Sequence, residues 1–321
     1  MRAIVLEEHG DADRLIARDL ARPAADAGML LIRNTCVGVN FIDIYQRRGL
    51  YPVGLPAVLG SEGVGVVEAA GEGAPFAPGA RVAYLCGGGA YAEYAHVDAC
   101  RAAQIPDQVS DETAAAGFLK GLTAEMLVRQ VYALRRGDAA LIHAAAGGVG
   151  TLLVQWARHI GARVIAVVGG AEKERIAREN GADEVIDRLT SSDIAAEVRV
   201  LTHGRGVDVA YDSIGAETFI SSLDSIAMRG MMVSYGNASG PPPAISPLEL
   251  SRRGSLTLSR PSLFHYATQE RLPAMAERVF ALFAQGALTP RVAARVPFEE
   301  AAHAHRLLES GATIGAIILA L

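Results

Sequence analysis

The chain has 321 residues, of which half are hydrophobic and a fifth are charged, a composition typical of a folded globular protein rather than a disordered or fibrous one. Its length favours two domains over a single core. The formal net charge of −5 provides no strong basic field to attract nucleic acid or an anionic membrane, so neither is an expected partner.

The first 120 residues have the pattern of a β-rich domain. Short apolar stretches at 29–33, 63–68 and 81–85 are separated by Gly and Pro turn signals that recur about every ten residues. The N-terminus has no apolar segment typical of a signal peptide, and the three cysteines lie far apart without a C-x-x-C pair. These features predict a partly barrel-like sheet in a cytoplasmic protein without a disulfide framework.

The glycine-rich turn 144–150, A-A-A-G-G-V-G, is the most informative segment of the chain. It lies between a buried apolar run and a helical pattern that ends at Ile160. Ala145, Gly147 and Gly150 occupy the positions of a G-x-G-x-x-G fingerprint, with alanine at the first. A pyrophosphate can lie against such a strand-to-helix turn because side chains are absent and helix amides point outward. The turn predicts a dinucleotide site; a glycine-rich helix start kept only for tight packing is the alternative.

Strands and helices alternate through the middle of the chain, which indicates a parallel sheet with helices on its faces. The predicted strands are 139–143, 163–168, 184–187, 207–212, 230–235 and 255–259, and the predicted helices are 151–160, 173–180, 193–202 and 217–228. Six strands with intervening helices predict a complete doubly wound sheet.

The C-terminal part of the chain is predicted to contain two helices and one strand. Residues 269–285 have the apolar face of an amphipathic helix, a shorter helix covers 298–310, and 313–321 form an apolar strand. Because that strand has no sheet of its own nearby in the sequence, we expect it to join the N-terminal domain.

The end of the second strand of the doubly wound sheet indicates which dinucleotide is bound. An NAD site usually has Asp or Glu there to accept from the ribose 2′-hydroxyl, whereas this chain reads V-V-G-G-A at 167–171. Lys173 and Arg188 follow, and both suit a 2′-phosphate because charge-assisted hydrogen bonds to phosphate are strong. The pattern favours NADPH over NADH; the alternative is that both cations are solvated surface residues.

No metal site is expected from the sequence. Zinc-dependent alcohol dehydrogenases of similar size need a Cys and a His or Glu that converge on one ion. This chain has Asn40 and Ser61 at the corresponding places, and its eight histidines are scattered without a metal-binding spacing. A G-x-S-x-G nucleophile elbow is also missing, so covalent catalysis is not expected either.

Seven motifs, spread over nearly the whole chain, carry a resemblance to a known family. They are V-G-V-N-F-I-D-I-Y at 37–45, G-L-Y-P at 49–52, F-L-K-G-L-T-A at 118–124, H-A-A-A-G-G-V-G at 143–150, Y-D-S-I-G at 211–215, S-Y-G-N-A-S-G at 234–240 and R-P-S-L at 260–263. Together they resemble the zinc-free, zeta-crystallin-like NADPH:quinone oxidoreductases of the medium-chain dehydrogenase/reductase superfamily. The resemblance implies an α/β fold in which residues 1–121 and 264–321 form a β-rich, GroES-like catalytic domain and residues 122–263 form a doubly wound Rossmann domain that binds NADPH.

The same resemblance implies site residues at the matching positions. Asn40, Tyr45 and Tyr51 are the expected catalytic residues, bordering the nicotinamide and the quinone pocket. The implied cofactor contacts are Asn40, Asp43, Tyr45, Thr123, Gly147, Gly148, Val149, Gly170, Lys173, Arg188, Ser213, Asn237, Ser239 and Phe264. The alternatives are structural: the tyrosines as packing aromatics, and Asp43 as the cap of a helix that begins at Ile44.

The expected function is hydride transfer from NADPH to a quinone bound in the cleft between the domains, without zinc. Tyr45, Tyr51 or Asn40 would hydrogen-bond the acceptor oxygen as negative charge develops there. Two alternatives stay open: NADPH-dependent reduction of 2-alkenals or enones, which needs the same hydride geometry, and a cofactor-binding protein with an RNA-binding or structural role. The predicted edge strand 255–259 suits pairing across a two-fold axis, so a homodimer is expected.

Overall fold

The computed structural model describes all 321 residues and divides into two compact units. Unit 1 comprises Met1–Lys120 with Ala267–Leu321, and unit 2 comprises Gly121–Tyr266. The sequence analysis predicts the domain boundaries after residues 121 and 263. The second boundary lies later in the structure because a short helix, Leu263–Tyr266, belongs to unit 2. None of the helices is both long enough and apolar enough to cross a bilayer.

The two units contain sixteen strands and ten α-helices, numbered in chain order. The strands are β1 Arg2–Leu6, β2 Leu15–Asp19, β3 Met29–Val39, β4 Ala57–Val58, β5 Glu62–Ala70, β6 Arg81–Leu85, β7 Tyr94–Asp98, β8 Ala102–Gln104, β9 Ala139–His143, β10 Arg163–Val168, β11 Glu184–Asp187, β12 Val207–Asp212, β13 Ile226–Ser234, β14 Thr257–Ser259, β15 Val292–Pro297 and β16 Ala316–Ala320. The helices are α1 Phe41–Arg47, α2 Asp111–Glu125, α3 Gly148–Ile160, α4 Ala171–Glu179, α5 Ile194–Leu201, α6 Phe219–Ser225, α7 Pro247–Arg252, α8 Leu263–Tyr266, α9 Leu272–Ala284 and α10 Ala301–Glu309.

Unit 1 is built on a seven-stranded sheet in the order β15-β16-β3-β5-β6-β8, with β7 also paired to β3. The long strand β3 is buried along most of its length and pairs antiparallel with β5, β7 and β16. In β16, Ile317 lies opposite Val39, which confirms that the last strand joins the sheet of the N-terminal domain. Leu30, Ile32 and Leu319 lie in the core of this unit. The strand β3 ends at the buried Val39, and α1 begins two residues later at Phe41.

Unit 2 is a six-stranded parallel sheet in the order β11-β10-β9-β12-β13-β14, so the predicted doubly wound sheet is confirmed. The strand β9 is fully buried and contains no charged residue. The order of the strands reverses at β9, because β10 and β11 extend the sheet on one side of it and β12 to β14 on the other. Ligands of open α/β sheets bind at the carboxyl ends of the strands beside such a reversal. The loops after β9, β10 and β12 are therefore the candidate site.

Several helices differ from the sequence prediction, and α6 and α2 show why. The predicted helix 217–228 is too long, because α6 ends at Ser225 and β13 begins at Ile226. Ile226 is fully buried and pairs with Val207 of β12, so its apolar side chain fills the sheet rather than a helix face. The helix α2 is not predicted at all, because its residues are almost all buried and the sequence lacks the polar face of an amphipathic helix.

Candidate cofactor site and active site

The glycine turn at the end of β9 has the geometry of a phosphate cradle. Ala144 adopts a positive φ of 49°, and Gly147 is the extended N-cap from which α3 starts. A Cβ atom on Gly150 would lie 2.1 Å from the Ala144 carbonyl oxygen, so only glycine lets the helix pack this tightly on the turn. The first amides of α3, including those of Gly148 and Val149, lie at the carboxyl end of β9 and have no intrahelical acceptor.

Two cations meet at the carboxyl ends of β10 and β11. A Cβ atom on Gly169 would lie 3.2 Å from Arg188 Nε, so the guanidinium group lies directly against the end of β10. Burial lowers the pKa of Lys173, and the charge of Arg188 lowers it further, which indicates that the two cations are close. The neighbouring Asp187 carboxylate accepts from the Gly170 amide at 2.9 Å and holds the loop between β10 and α4. The site therefore concentrates positive charge where a phosphate group can be bound.

The loops after β12 and β13 lie side by side at the same edge of the sheet. Ser239 donates from its hydroxyl to the Ile214 carbonyl at 2.9 Å and so ties the two loops together. A Cβ atom on Gly236 would lie 2.3 Å from the Ser213 carbonyl oxygen, which shows how closely the two backbones approach. Asn237, which lies between Gly236 and Ser239 in the same loop, is buried. Three of the predicted contacts are thus brought together in unit 2.

A buried polar cluster in unit 1 lies where β3 passes into α1. Glu62 is 1% exposed, and its Oε1 accepts from Asn40 Nδ2 at 2.9 Å and from Lys120 Nζ at 3.0 Å. Its Oε2 accepts from the Leu119 amide at 2.9 Å. A Cβ atom on Gly38 would lie 2.2 Å from Glu62 Oε1, so this glycine makes room for the carboxylate. The side-chain amide of Asn40, which follows the apolar end of β3, thereby gains a charged partner.

The helix α1 starts at Phe41 rather than at Ile44, with Asn40 as its N-cap. The structural alternative, in which Asp43 caps a helix that begins at Ile44, is therefore wrong. Asp43 lies in the first turn and reaches back, because its Oδ2 accepts from the Asn40 backbone amide at 2.9 Å, as in a capping box. Ser61 Oγ donates to Asp43 Oδ1 at 2.7 Å. Asp43 thus fixes the backbone on which Asn40 stands.

Asp43 also ends a directed chain of buried hydrogen bonds. Arg47 Nη1 can only donate to His305 Nδ1, at 3.1 Å, so the imidazole proton lies on Nε2 and is donated to Tyr91 Oη at 3.0 Å. Tyr91 in turn donates to Asp43 Oδ2 at 3.1 Å. Burial raises the pKa of Asp43 to about 6, while burial and then the Arg47 charge lower the pKa of His305 to about 3. This series of hydrogen bonds connects α10 to α1 through a neutral histidine, His305.

His305 is expected to make the free energy of unfolding pH-dependent. Its pKa of about 3 in the fold is below the ordinary value of 6.5, so its contribution is complete above pH 6.5 and is lost as the pH falls toward 3. Between pH 7 and pH 5 the loss is about 2 kcal/mol. Asp43 acts in the opposite direction, since its raised pKa of about 6 adds stability as the pH falls through that value.

The His305→Gln variant separates the two effects because it keeps Asp43 and removes the titrating imidazole. Urea unfolding of both proteins at pH 7 and pH 5 is expected to show that the wild type loses about 2 kcal/mol relative to the variant. A stability difference that stays the same at both pH values would contradict a neutral, buried His305.

An aromatic cluster follows the N-terminus of α1. The rings of Tyr45 and Tyr51 meet edge to face with centroids 5.2 Å apart, and the Tyr51 amide donates to the Tyr45 carbonyl at 3.1 Å. Phe41 lies 6.0 Å from Tyr45, centroid to centroid. The cluster combines apolar ring faces with two phenol groups, which suits the recognition of a planar acceptor that carries oxygen atoms.

Several residues of these networks are missed by sequence reasoning. Glu62, Tyr91 and His305 are not among the predicted site residues, and the Tyr91–His305 contact joins positions 214 residues apart. The only local signal for Glu62 is a single acid in the otherwise apolar run at the start of β5. Of the remaining predicted contacts, Thr123 lies in α2 and Phe264 in α8, outside the loops at the strand ends.

The cluster around Glu62 does not fit a zinc ion. Zinc in proteins is held by Cys, His and carboxylate ligands. Asn40 offers an amide that donates to Glu62, Ser61 donates its proton to Asp43, and Lys120 brings a positive charge. Nowhere in the structure do three or more His, Cys, Asp or Glu side chains form a group that could hold a metal.

Two family models match the chain. The model described as "Alcohol dehydrogenase GroES-like domain" matches residues 26–107, and the model described as "Zinc-binding dehydrogenase" matches residues 148–281. A GroES-like unit joined to a doubly wound sheet with a glycine turn after its central strand defines the medium-chain dehydrogenase/reductases.

Relatives narrow this class further. A quinone oxidoreductase of Pseudomonas aeruginosa is 44% identical over 322 residues, which cover 99% of each chain. A 2-haloacrylate reductase of a Burkholderia species is 39% identical and covers 99% of this chain and 98% of its own. The solved structure of an Escherichia coli quinone oxidoreductase in complex with NADPH matches with a TM-score of 0.97 at 39% identity and covers 100% of both chains. The chain belongs to the quinone oxidoreductase family.

Proposed function

We propose that the chain is an NADPH-dependent quinone oxidoreductase, which transfers hydride from NADPH to a quinone without a metal ion. The observation that carries this proposal is the combination, at one edge of the unit 2 sheet, of a glycine turn with the cation pair Lys173 and Arg188. The first feature suits a pyrophosphate and the second suits a 2′-phosphate. The full-length similarity to quinone oxidoreductases, one of them solved with NADPH, supports the same function.

The chain would hold NADPH mainly through backbone amides and cations. The amides of Gly148 and Val149 bind the pyrophosphate, and Gly147, whose own amide donates to the Ala144 carbonyl at 2.8 Å, lets the phosphates come close to the backbone. Lys173 and Arg188 bind the phosphate at the adenosine end, beside the Gly170 backbone. Ser213, Asn237, Ser239, Phe264 and Thr123 bind the ribose and nicotinamide end. The cofactor contacts of Asn40 and Tyr45 stay predictions, whereas the carboxylate of the fully buried Asp43 already accepts from Asn40, Ser61 and Tyr91. When bound, the dihydronicotinamide supplies the hydride, and the protein contributes placement, a dry site and electrostatic stabilisation.

The phenol groups of Tyr45 and Tyr51 contribute hydrogen bonds to the acceptor and are not required as acids, because a hydroquinone anion can take its proton from water. Tyr45→Phe is therefore expected to lower kcat moderately, by about tenfold. Steady-state kinetics with a quinone measures this, and Tyr94→Phe, which removes a phenol that lies under Arg22, is the matched control. A loss in Tyr45→Phe above about 10⁴-fold, the upper range for a general acid, would show that Tyr45 supplies the proton.

Reduction of an activated carbon–carbon double bond is the second candidate function. The similarity to a 2-haloacrylate reductase over nearly the full length favours it specifically. Steady-state assays with NADPH and 1,4-benzoquinone, 9,10-phenanthrenequinone, a 2-alkenal and 2-chloroacrylate separate the two candidates. The proposal predicts that kcat/KM is highest for a quinone; a higher value for the alkenal or the haloacrylate would assign the chain to the second function.

We also infer a homodimer that pairs through the edge of the unit 2 sheet. The strand β14 is hydrogen-bonded only to β13, and Leu258 on it is 37% exposed. Met228 on the neighbouring strand is 77% exposed. An open strand edge beside exposed apolar side chains is a surface that a second copy can cover.

Leu258→Asp is expected to convert the dimer to a monomer, because it introduces a charge at the apolar edge. Light scattering at micromolar concentration gives the mass. The control is Val200→Asp, which changes a 77% exposed apolar residue on α5 and should leave the dimer intact. A monomeric wild type would rule out the homodimer.

We also infer a cytoplasmic location. All three cysteines, Cys36, Cys86 and Cys100, are free thiols in the structure. Free thiols without any disulfide are typical of proteins kept in a reducing compartment.

A further inference from the structure

Lys120 has a buried ammonium group that uses only one of its N–H donors within the protein. It is 5% exposed, and its one hydrogen bond goes to Glu62 Oε1 at 3.0 Å. A lysine ammonium carries three N–H donors, so two of them have no protein acceptor in the structure. Buried donors rarely stay without partners, because leaving them unpaired is costly. Two N–H donors of Lys120 are therefore available to an acceptor from outside the protein, such as water or a bound molecule.

The surrounding residues hold Lys120 in place and balance its charge. Glu62 is fixed from three sides by Asn40 Nδ2, the Leu119 amide and Lys120 itself. Its carboxylate also lies against the backbone of Gly38, where any larger residue would collide with it. A cation that is paired and locked in this way is pre-organised, since it need not rearrange when negative charge appears nearby.

The position of the cation is informative as well. Asn40 and Ser61 stand where zinc-dependent members of the superfamily have metal ligands, and the residues present do not fit zinc. The Lys120 ammonium and the Asn40 amide share one oxygen of Glu62, so a positive charge is still held in this cluster. We propose that Lys120 takes the part of the missing metal ion and stabilises the negative charge that develops on the acceptor oxygen during hydride transfer. This inference rests on the proposed function.

The chemistry balances without a further reactant. Hydride transfer would break the C4–H bond of the bound reduced nicotinamide and form an O–H bond at one quinone oxygen, so that the nicotinamide is oxidised and the quinone is reduced by two electrons. The other quinone oxygen would then carry the negative charge, accept a hydrogen bond from the Lys120 ammonium, and later take a proton from water to give the hydroquinone. Asn40 cannot play this part, because its Nδ2 already donates to Glu62 Oε1 at 2.9 Å and to the Gly38 carbonyl at 3.4 Å.

Three variants test the role of the charge. Lys120→Met keeps the length of the side chain and removes the charge, Lys120→Met with Glu62→Gln removes both charges of the pair, and Lys120→Arg keeps a cation. The matched control is Arg81→Met, which breaks the half-buried ion pair with Asp111 elsewhere in unit 1. Lys120→Met leaves the buried Glu62 carboxylate without its cation and could prevent folding. In that case the double variant, which has neither charge, is the one to measure.

Steady-state turnover of a series of substituted benzoquinones and fluorescence titration of NADPH are the measurements. We expect kcat to fall by about 10²–10³-fold in both Met variants and to be partly retained in Lys120→Arg, while the Kd for NADPH changes by less than about threefold. The loss should grow with the basicity of the hydroquinone produced, because a more basic anion needs more stabilisation.

Two results would overturn the inference: turnover in the double variant within about threefold of the wild type, or a loss of the same size for every quinone, which is what a structural role would give. A wild type that reduces neither quinones nor activated alkenes with NADPH would instead contradict the proposed function, so the two failures can be told apart.

Discussion

Replacing Lys173 and Arg188 together by alanine is expected to weaken NADPH binding by about 150-fold or more and to leave NADH binding within about threefold of the wild type. Each cation can make a charge-assisted hydrogen bond to the 2′-phosphate, which contributes about 1.5–3 kcal/mol. The phosphate is absent from NADH, so the loss is confined to NADPH.

Fluorescence titration of both dinucleotides at one fixed ionic strength measures this preference, because salt screens partly exposed charges. The matched control is Arg175→Ala, which removes a cation from the same helix, α4, whose side chain is paired with Glu179. The control should leave the ratio of the two dissociation constants unchanged. An equal loss for NADPH and NADH in the double variant would show that the two cations do not bind the 2′-phosphate.

Arg47→Met is expected to lower the free energy of unfolding by about 3–5 kcal/mol, because it strands buried partners of a fully buried cation. Arg47 has no solvent exposure and donates to the Gly10 carbonyl, to His305 Nδ1 and, through two nitrogens, to both oxygens of Glu309. Methionine fills most of the same space but satisfies none of these acceptors. The directed chain from His305 to Asp43 also loses its first donor.

Arg48→Met is the control for this prediction, since Arg48 contacts the same Glu309 carboxylate at 2.7 Å but has a side chain that is 56% exposed. Exposed ion pairs contribute little, so we expect a loss below about 1 kcal/mol. Urea unfolding followed by circular dichroism measures both variants, and fluorescence of the single tryptophan, Trp156, reports on unit 2. Equal losses in the two variants would contradict the role assigned to burial.

The fold of unit 2 could be predicted from the sequence because its signals are local. The strands β9, β10, β11 and β12 have the predicted bounds, since each is a short apolar run closed by a turn. The prediction fails where local spacing is ambiguous. The apolar residues at the end of α6 and the start of β13 suit a helix or a strand, and only pairing with β12 decides between them.

The polar clusters of unit 1 could be predicted only in part. Asn40 and Asp43 follow from their motif, but the partners that give them a defined geometry are distant in the chain. Glu62 and Lys120 are 58 residues apart, and Tyr91 and His305 are 214 residues apart, so no spacing rule connects them. These pairs depend on how the sheet of unit 1 folds, which hydrophobic patterning specifies only coarsely.

The central claim is that this chain transfers hydride from NADPH to a quinone, and a single-turnover experiment tests it most directly. The protein is loaded with one equivalent of NADPH and mixed with an excess of 9,10-phenanthrenequinone, and the absorbance of the reduced cofactor is followed by stopped flow. We expect complete, single-exponential oxidation of the cofactor and one hydroquinone per NADPH. When NADH replaces NADPH at the same concentration, we expect far slower oxidation. A cofactor that stays bound and reduced in the presence of the quinone would contradict the account.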